Sequence, residues 1–365
     1  MLELQTSIPE STSQQRTRPQ KPRIYCQDNP RNQQIIRNLD QLHQTYHPTP
    51  WLFNGHMQML FLSARKNNAG HAYDHIEQLT MSDGGQTALA WVGYELPPTT
   101  PTIAILHTLT GSPQSMQELV LDLHKTTGWR VVVCVRRGHA DLPLTQPQFN
   151  IFGSVPDLHE QLGVIHTRFP ESALYGVGSS AGSGLLVRYL GAMGSAALLR
   201  AAFAYCPGYN TDTGFDHVQP FYSRYMAKKL LRKFVEPHAK SIAHLPTFSR
   251  LRNAQDLSEF NRYAFEYAGY SSYEEYAHDI NPMRVFTHIS IPMMILNAED
   301  DPVCNIQNAT PYLDTMRNMP NLILVTTAQG SHCAHYEGWR AKSWAGRLIG
   351  QYLKTVHEIS LKSSH

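Results

Sequence analysis

The chain has 365 residues, 42% hydrophobic and 16% charged, with a net charge of +2. That length allows two or three domains, or one large domain with insertions, and enough apolar material for a sizeable core. The near-neutral charge gives no electrostatic reason for nucleic-acid binding, and average glycine and proline usage excludes collagen-like or low-complexity chains.

Residues 1–35 read as a polar, flexible arm, with Arg16, Arg18, Lys21 and Arg23 on a solvated surface. The N-terminus MLELQTSIPESTSQQ lacks a basic stretch followed by an apolar one, so it does not read as a secretory signal. From residue 87 onward, short β-rich runs alternate with helical patterns. The runs are TALAWVGY (87–94), TIAILHT (102–108), RVVVCV (130–135), LYGVG (174–178), LRAAFAYC (199–206), MMILN (293–297) and LILVTT (322–327). Most are continuous rather than alternating, as in strands buried on both faces. Helical spacing links Met116, Leu119, Val120 and Leu123, then Leu158, Leu162 and Ile165, then Trp344, Leu348 and Leu353. Such alternation predicts a mostly parallel central sheet flanked by helices.

One stretch breaks the rhythm. No strand pattern occurs between Cys206 and Ile291, and residues 211–288 hold 14 Phe and Tyr. The expected organisation is a core over 36–206 and 289–358, split by a mainly helical cap at 207–288. A cap there would cover the carboxyl edge of the sheet, where open α/β sheets bind ligands. Its rings suggest an apolar pocket.

The five cysteines, Cys26, Cys134, Cys206, Cys304 and Cys333, are widely spaced without C-x-x-C. Neither a zinc ribbon nor a disulfide framework is expected, which fits a reducing compartment. No run of about 18 apolar residues is present. The expected location is cytoplasmic, with peripheral membrane contact left open.

The sharpest local signal is Gly178-Ser179-Ser180-Ala181-Gly182, a G-x-S-x-G pattern between a predicted strand and a predicted helix. A serine on that turn has a strained backbone and an exposed hydroxyl. Gly176, Gly178 and Ala181 also come close to a dinucleotide fingerprint. That reading needs an acid about 20 residues on, and no Asp or Glu occurs between Glu171 and Asp212.

A serine nucleophile needs a base, and the base needs an orienting acid. In this fold the chain order is Ser, acid, His. Asp301 follows MMILN and is preferred over Asp300. His332 follows LILVTT and is preferred over His335. Oxyanion donors are expected from the backbone N–H of Ala181 and of Leu109, with Thr108 as second choice. Such chemistry needs no metal or organic cofactor.

With these residues in place, the chain resembles the YheT-like branch of the α/β-hydrolase fold. That branch includes eukaryotic abhydrolase-domain lipases and yeast medium-chain ethyl-ester synthases. The resemblance runs through TPWLFNGHMQ (49–58), SDGGQTALAW (82–91), HTLTGS (107–112), VRRGHADLP (135–143), GVGSSAGS (176–183), SEFNRYAFEYAGYSSYEEY (258–276), NAEDDPV (297–303) and GSHCAHYEG (330–338). It implies an α/β-hydrolase fold with the cap inserted after the sixth strand, and a Ser180–Asp301–His332 triad. It also implies hydrolysis of short- or medium-chain acyl esters or monoacylglycerol-like lipids. Acyl transfer to an alcohol would use the same residues, and a non-catalytic scaffold is the remaining alternative.

Overall fold

The computed structural model describes residues 4–5, 19–67, 72–145 and 148–363. Among them nine strands form one sheet: β1 (Arg23–Cys26), β2 (His75–Thr80), β3 (Gln86–Val92), β4 (Thr102–Leu106), β5 (Arg130–Val135), β6 (Leu174–Ser179), β7 (Ala201–Tyr205), β8 (Met293–Ala298) and β9 (Leu322–Thr327). Their order is β1-β9-β8-β7-β6-β4-β5-β3-β2. Strands β4 to β9 are mutually parallel. The outer strands β1, β2 and β3 pair antiparallel. The central strands are buried along their whole length, which explains their unbroken apolar runs.

Helices cover both faces. Helices α1 (Pro30–Arg37), α2 (Gly55–Asn67), α3 (Pro113–Thr127), α4 (Val155–Arg168) and α5 (Ala181–Met193) lie before β7. Ser112 caps α3 in a reciprocal pair with Ser115, Pro113 opens the helix, and Gly128 ends it at φ 74°. Ser154 caps α4 through the N–H of Asp157. The apolar stripe of α3, Met116, Val120 and Leu123, packs on one sheet face with Trp344, Leu348 and Leu353. Leu158, Leu162 and Ile165 of α4 pack on the other face with Leu185 and Leu186 of α5.

Between β7 and β8 the described chain is helical and irregular, including α6 (Pro220–Leu230) with its π-helical continuation Leu231–Val235, and α7 (Tyr273–Ile280). This region has its own apolar cluster, built on Leu230, Phe234, Phe260, Tyr267 and Tyr276 together with Phe149 and Ile151. Most of its buried rings therefore serve packing. The chain closes with α8 (Trp344–Ser363).

Two expectations are corrected. Part of the arm expected over 1–35 is built into the fold: the Gln5 N–H donates to the Ile24 carbonyl, Gln20 bridges to Tyr46, β1 pairs with β9, and α1 begins at Pro30. Only four residues of β1 pair, and their flanks are polar, so no periodicity exposed them; Ile24, Tyr25 and Cys26 are nonetheless buried. Arg16 and Arg18 lie outside the described residues, while Arg23 pairs with Glu299. Because β1 precedes the rest, the helical region follows the seventh strand rather than the sixth.

Candidate active site

Strands β4 and β6 are neighbours, with Leu106 opposite Gly178, while β5 lies on the far side of β4. This is the sheet's topological switch point, and loops leaving it flank a crevice. Ser180 follows β6 and Leu109 follows β4. Asp301 follows β8 and His332 follows β9.

The turn at Ser180 is tight for a steric reason. A Cβ on Gly182 would sit 2.1 Å from the Leu106 carbonyl oxygen, and one on Gly178 would sit 2.5 Å from the Ser183 Cα. Strand and helix approach that closely only with glycine at both positions. Ser180 itself has φ 53° and ψ −119°, a region costly for a side-chain-bearing residue. Its N–H donates to the Tyr205 carbonyl at 2.8 Å. It stands at the N-cap of α5, yet its side chain caps nothing. Instead the Oγ lies 2.8 Å from His332 Nε2.

His332 Nδ1 lies 2.7 Å from Asp301 Oδ2. An ionised carboxylate only accepts, so Nδ1 carries the proton and the Nε2 lone pair faces the Ser180 hydroxyl. The other Asp301 oxygen, Oδ1, accepts from the N–H groups of Val303 at 2.7 Å and Cys304 at 2.8 Å. Burial by itself would lower the pKa of His332. Asp301, Cys333 and Cys304 outweigh that burial and hold it well above the ordinary histidine value.

The structure thus brings Ser180, His332 and Asp301 into one hydrogen-bonded line. The rival residues do other things. Asp300 accepts from the Ser331 N–H at 2.7 Å. His335 sits between the Tyr205 hydroxyl and Thr327 Oγ1, and burial pushes its pKa down to about 3. The backbone around the line is strained as a group: Cys206, Ser331 and Cys333 also have positive φ, at about 1–3 kcal/mol each.

Leu109 and Ala181 line the same cavity as Ser180, whereas Thr108 lines a different one. Ala181 opens α5, so its N–H has no partner within the helix. The Leu109 loop is held from behind by Arg136, a buried side chain just past β5 that the sequence reading missed. Its Nη1 donates to the His107 carbonyl at 3.0 Å. Its Nη2 donates to the Thr108 carbonyl at 2.7 Å and reaches the Leu109 carbonyl at 3.4 Å. The Arg136 N–H donates to His107 Nε2 at 3.2 Å. Burial and the Arg136 charge keep His107 neutral, as an acceptor must be. The sequence signals for Arg136 are a charge directly after the five apolar positions 131–135 and its place in the VRRGHADLP segment.

The cavity at Ser180 measures about 100 Å³. Phe152, Tyr209, Phe215, Val218, Met226 and Leu257 line its walls. Of the many rings in 211–288 only Phe215 is among the lining, so the apolar wall is built mostly otherwise than the ring count suggested. A second cavity of about 460 Å³ lies beside it, with a mixed lining that includes Lys66, Glu118, Ser179 and Cys333 as well as Leu62 and Leu119.

His56 and Gln58, at the end of the TPWLFNGHMQ segment, belong to α2. His56 Nδ1 lies 2.6 Å from the Tyr222 hydroxyl, and Gln58 is fully buried. The adjacent Gly55 carbonyl accepts from Ser331 Oγ at 2.8 Å, so α2 buttresses the His332 loop. Two sets of metal-ligating side chains lie among the described residues: Cys206, His332 and Cys333, and Asp301, Cys304 and His332. Both share His332, whose two ring nitrogens already face Asp301 and Ser180.

Comparison with known proteins agrees with this architecture. The chain is 29% identical over 335 residues to mouse phospholipase ABHD3, covering 87% of this chain and 81% of that protein. It is 24% identical over 369 residues to human monoacylglycerol lipase ABHD2, covering 92% and 85%. An esterase from the archaeon Pyrobaculum calidifontis superposes with a TM-score of 0.51 at 13% identity, covering 91% of this chain and 99% of that one. No family model matches the chain. Sheet order, the turn at Ser180 and these likenesses together give the chain the α/β-hydrolase fold.

Proposed function

We propose that the protein is a serine hydrolase of carboxylic esters, acting through an acyl-enzyme on Ser180. The observation that carries this reading is the line Ser180 Oγ–His332 Nε2–Asp301 Oδ2, at 2.8 and 2.7 Å. Ser180 attacks the ester carbonyl while His332 takes its proton and hands it to the leaving alcohol. Asp301 fixes the imidazole tautomer and stabilises the imidazolium. The N–H groups of Leu109 and Ala181 hold the oxyanion. Water, activated by His332, then releases the acid. Relatives named phospholipase and monoacylglycerol lipase support the same class of chemistry, and the motif series supports membership of the YheT-like branch.

The substrate class follows from the cavity. An apolar space of about 150 Å³ holds one six-carbon benzene, so about 100 Å³ suits an acyl chain of about four carbons. Longer chains would have to reach the cavity mouth. Exposed Trp51, Phe53, Phe221 and Trp339 support peripheral contact with a lipid surface. They are linked: Trp51 Nε1 donates to the Trp339 carbonyl, and Tyr222, next to Phe221, stacks on His56. No helix among the described residues is long and apolar enough to cross a membrane.

The test is fluorophosphonate labelling read by peptide mass spectrometry, with p-nitrophenyl esters from acetate to dodecanoate as substrates. Labelling of Ser180 is expected, together with an optimum near butyrate that Ser180→Ala abolishes. An unlabelled Ser180, or unchanged hydrolysis by the alanine variant, refutes the mechanism. Ester yield with added ethanol or glycerol separates hydrolysis from acyl transfer.

A further inference from the structure

Two cysteines that the proposed reaction does not use stand beside its base. Cys206 directly follows β7 and Cys333 follows His332; both hold left-handed backbone, at φ 48° and 58°. The Cys206 and Cys333 sulfurs and a ring nitrogen of His332 lie within 4.8 Å of one another. The Cys333 N–H donates to the Cys206 sulfur at 3.3 Å, and Ser179 Oγ lies 3.4 Å from the Cys333 sulfur. Cys206 is fully buried, whereas Cys333 is half-buried.

Cys333 also has its own route to solvent. It lines the second cavity of about 460 Å³, where Lys66, Thr108 and Ser179 supply polar groups. Ser180 does not line that cavity, and Cys333 does not line the apolar one. A small polar oxidant therefore reaches the thiol without crossing the acyl pocket.

We infer that Cys333 is a site of oxidation by hydroperoxides, that Cys206 resolves the product into a disulfide, and that this bond withdraws His332 from Ser180.

The steps balance. The Cys333 thiolate attacks the outer peroxide oxygen, the O–O bond breaks, and the alkoxide or hydroxide leaves with a proton as alcohol or water. Cys333 is then a sulfenic acid, oxidised by two electrons. The Cys206 thiol attacks its sulfur, the S–O bond breaks, and the Cys206 proton leaves with the hydroxide as water. The first step needs a thiolate. Burial by itself would raise the Cys333 thiol, but the bond with Cys206 and the nearby His332, Ser179 and Lys66 bring it down to about 6. Burial holds Cys206 well above its usual value, which divides the roles: Cys333 reacts first and Cys206 resolves.

The coupling to the base is geometric. A gap of up to 4.8 Å closes to about 2.05 Å in a disulfide. One peptide away, the imidazole must follow. A misplacement of about 1 Å in such a site costs roughly a hundredfold in rate.

The activity arm of this inference rests on the ester-hydrolase reading; the covalent arm does not. The reduced full-length protein is treated with hydrogen peroxide, quenched with catalase and alkylated. It is then followed by peptide mass spectrometry and by p-nitrophenyl butyrate hydrolysis. A Cys206–Cys333 linked peptide is expected to accumulate in step with a roughly hundredfold fall in kcat/KM, both reversed by dithiothreitol. In Cys206→Ala, dimedone should trap Cys333 as its sulfenic acid. Cys333 remaining alkylatable after peroxide overturns the site. A linked peptide with unchanged hydrolysis overturns the coupling to His332. A linked peptide in a protein without esterase activity sustains the site and counts against the function reading instead. The wild-type measurement decides the site even where a cysteine variant fails to fold.

Discussion

Replacing Asp301 by asparagine isolates one task, the choice of imidazole tautomer. The Oδ1 of Asp301 accepts two backbone N–H groups, from Val303 and Cys304. An asparagine must keep its carbonyl oxygen there, because an amide NH₂ pointed at two donors would leave all three without acceptors. Its NH₂ therefore takes the place of Oδ2, 2.7 Å from His332 Nδ1, and donates to that nitrogen. The imidazole proton moves to Nε2, facing the Ser180 hydroxyl, and the ring can no longer accept the serine proton. The side chain is buried and nearly isosteric, so the fold should survive. By analogy with the same change in another Ser-His-Asp enzyme, kcat should fall about 10⁴-fold, or about 5 kcal/mol in the barrier. The assay is steady-state hydrolysis of p-nitrophenyl butyrate, with circular dichroism to verify folding. KM should change little, since Asp301 does not line the acyl cavity. A folded variant that keeps a tenth or more of wild-type kcat refutes the tautomer argument.

Other expectations are equally direct. The raised pKa of His332 means that the imidazole is protonated at low pH and becomes a base only as pH rises through that value. The kcat/KM profile should therefore rise with a midpoint above 6.5, and Cys333→Ala should lower the midpoint; a wild-type midpoint at or below 6.5 contradicts this. Arg136→Met frees the carbonyls of residues 107–109 and should cost about 10²–10³-fold in kcat, the worth of one oxyanion donor. A folded Arg136→Met variant within threefold of wild type would show that the loop holds itself. Gly182→Ala forces a Cβ against the Leu106 backbone and should cost about 3 kcal/mol, read as a Tm drop of about 4 °C; an unchanged Tm would mean that the strand–helix approach is slack. Serine at Phe53, Phe221 and Trp339 together should reduce co-sedimentation with phosphatidylcholine vesicles by about tenfold while leaving the small-ester rate intact. Equal sedimentation of variant and parent would rule out that face.

The central strands were readable because burial on both sides fills β4 to β9 mainly with apolar residues, the polar ones (Thr102, Arg130, Ser179, Asn297, Thr326 and Thr327) standing at or near the strand ends. The edges were not. His75–Thr80 alternates half-buried and exposed positions and even exposes Ile76, so the sequence offers no apolar run there. The clue it did offer is the Ser-Asp-Gly-Gly turn before β3. Ser180, Asp301 and His332 were legible because each follows a readable strand, and turn chemistry at Gly178 and Gly182 marks the first of them. Arg136 and the Cys206–Cys333 pair were hidden for another reason. Their partners are backbone carbonyls and a residue more than a hundred positions away, and only the folded sheet order makes them neighbours.

Strand β1 has a consequence for how the chain is made. Its register sets Arg23 opposite Thr326, some 300 residues later. At about 5–20 residues per second of synthesis, β1 waits roughly 15–60 s for β9 to emerge. The entropic penalty of so long a loop is modest, growing by only about 0.6 kcal/mol per doubling, so the delay is kinetic rather than thermodynamic. A four-residue strand with polar flanks is a poor template for stray pairing during that wait. Its docking also brings Arg23 to Glu299, two residues before Asp301. A strand made some 300 residues before its partner thus completes the loop that carries the proposed catalytic acid, and does so among the last steps of assembly.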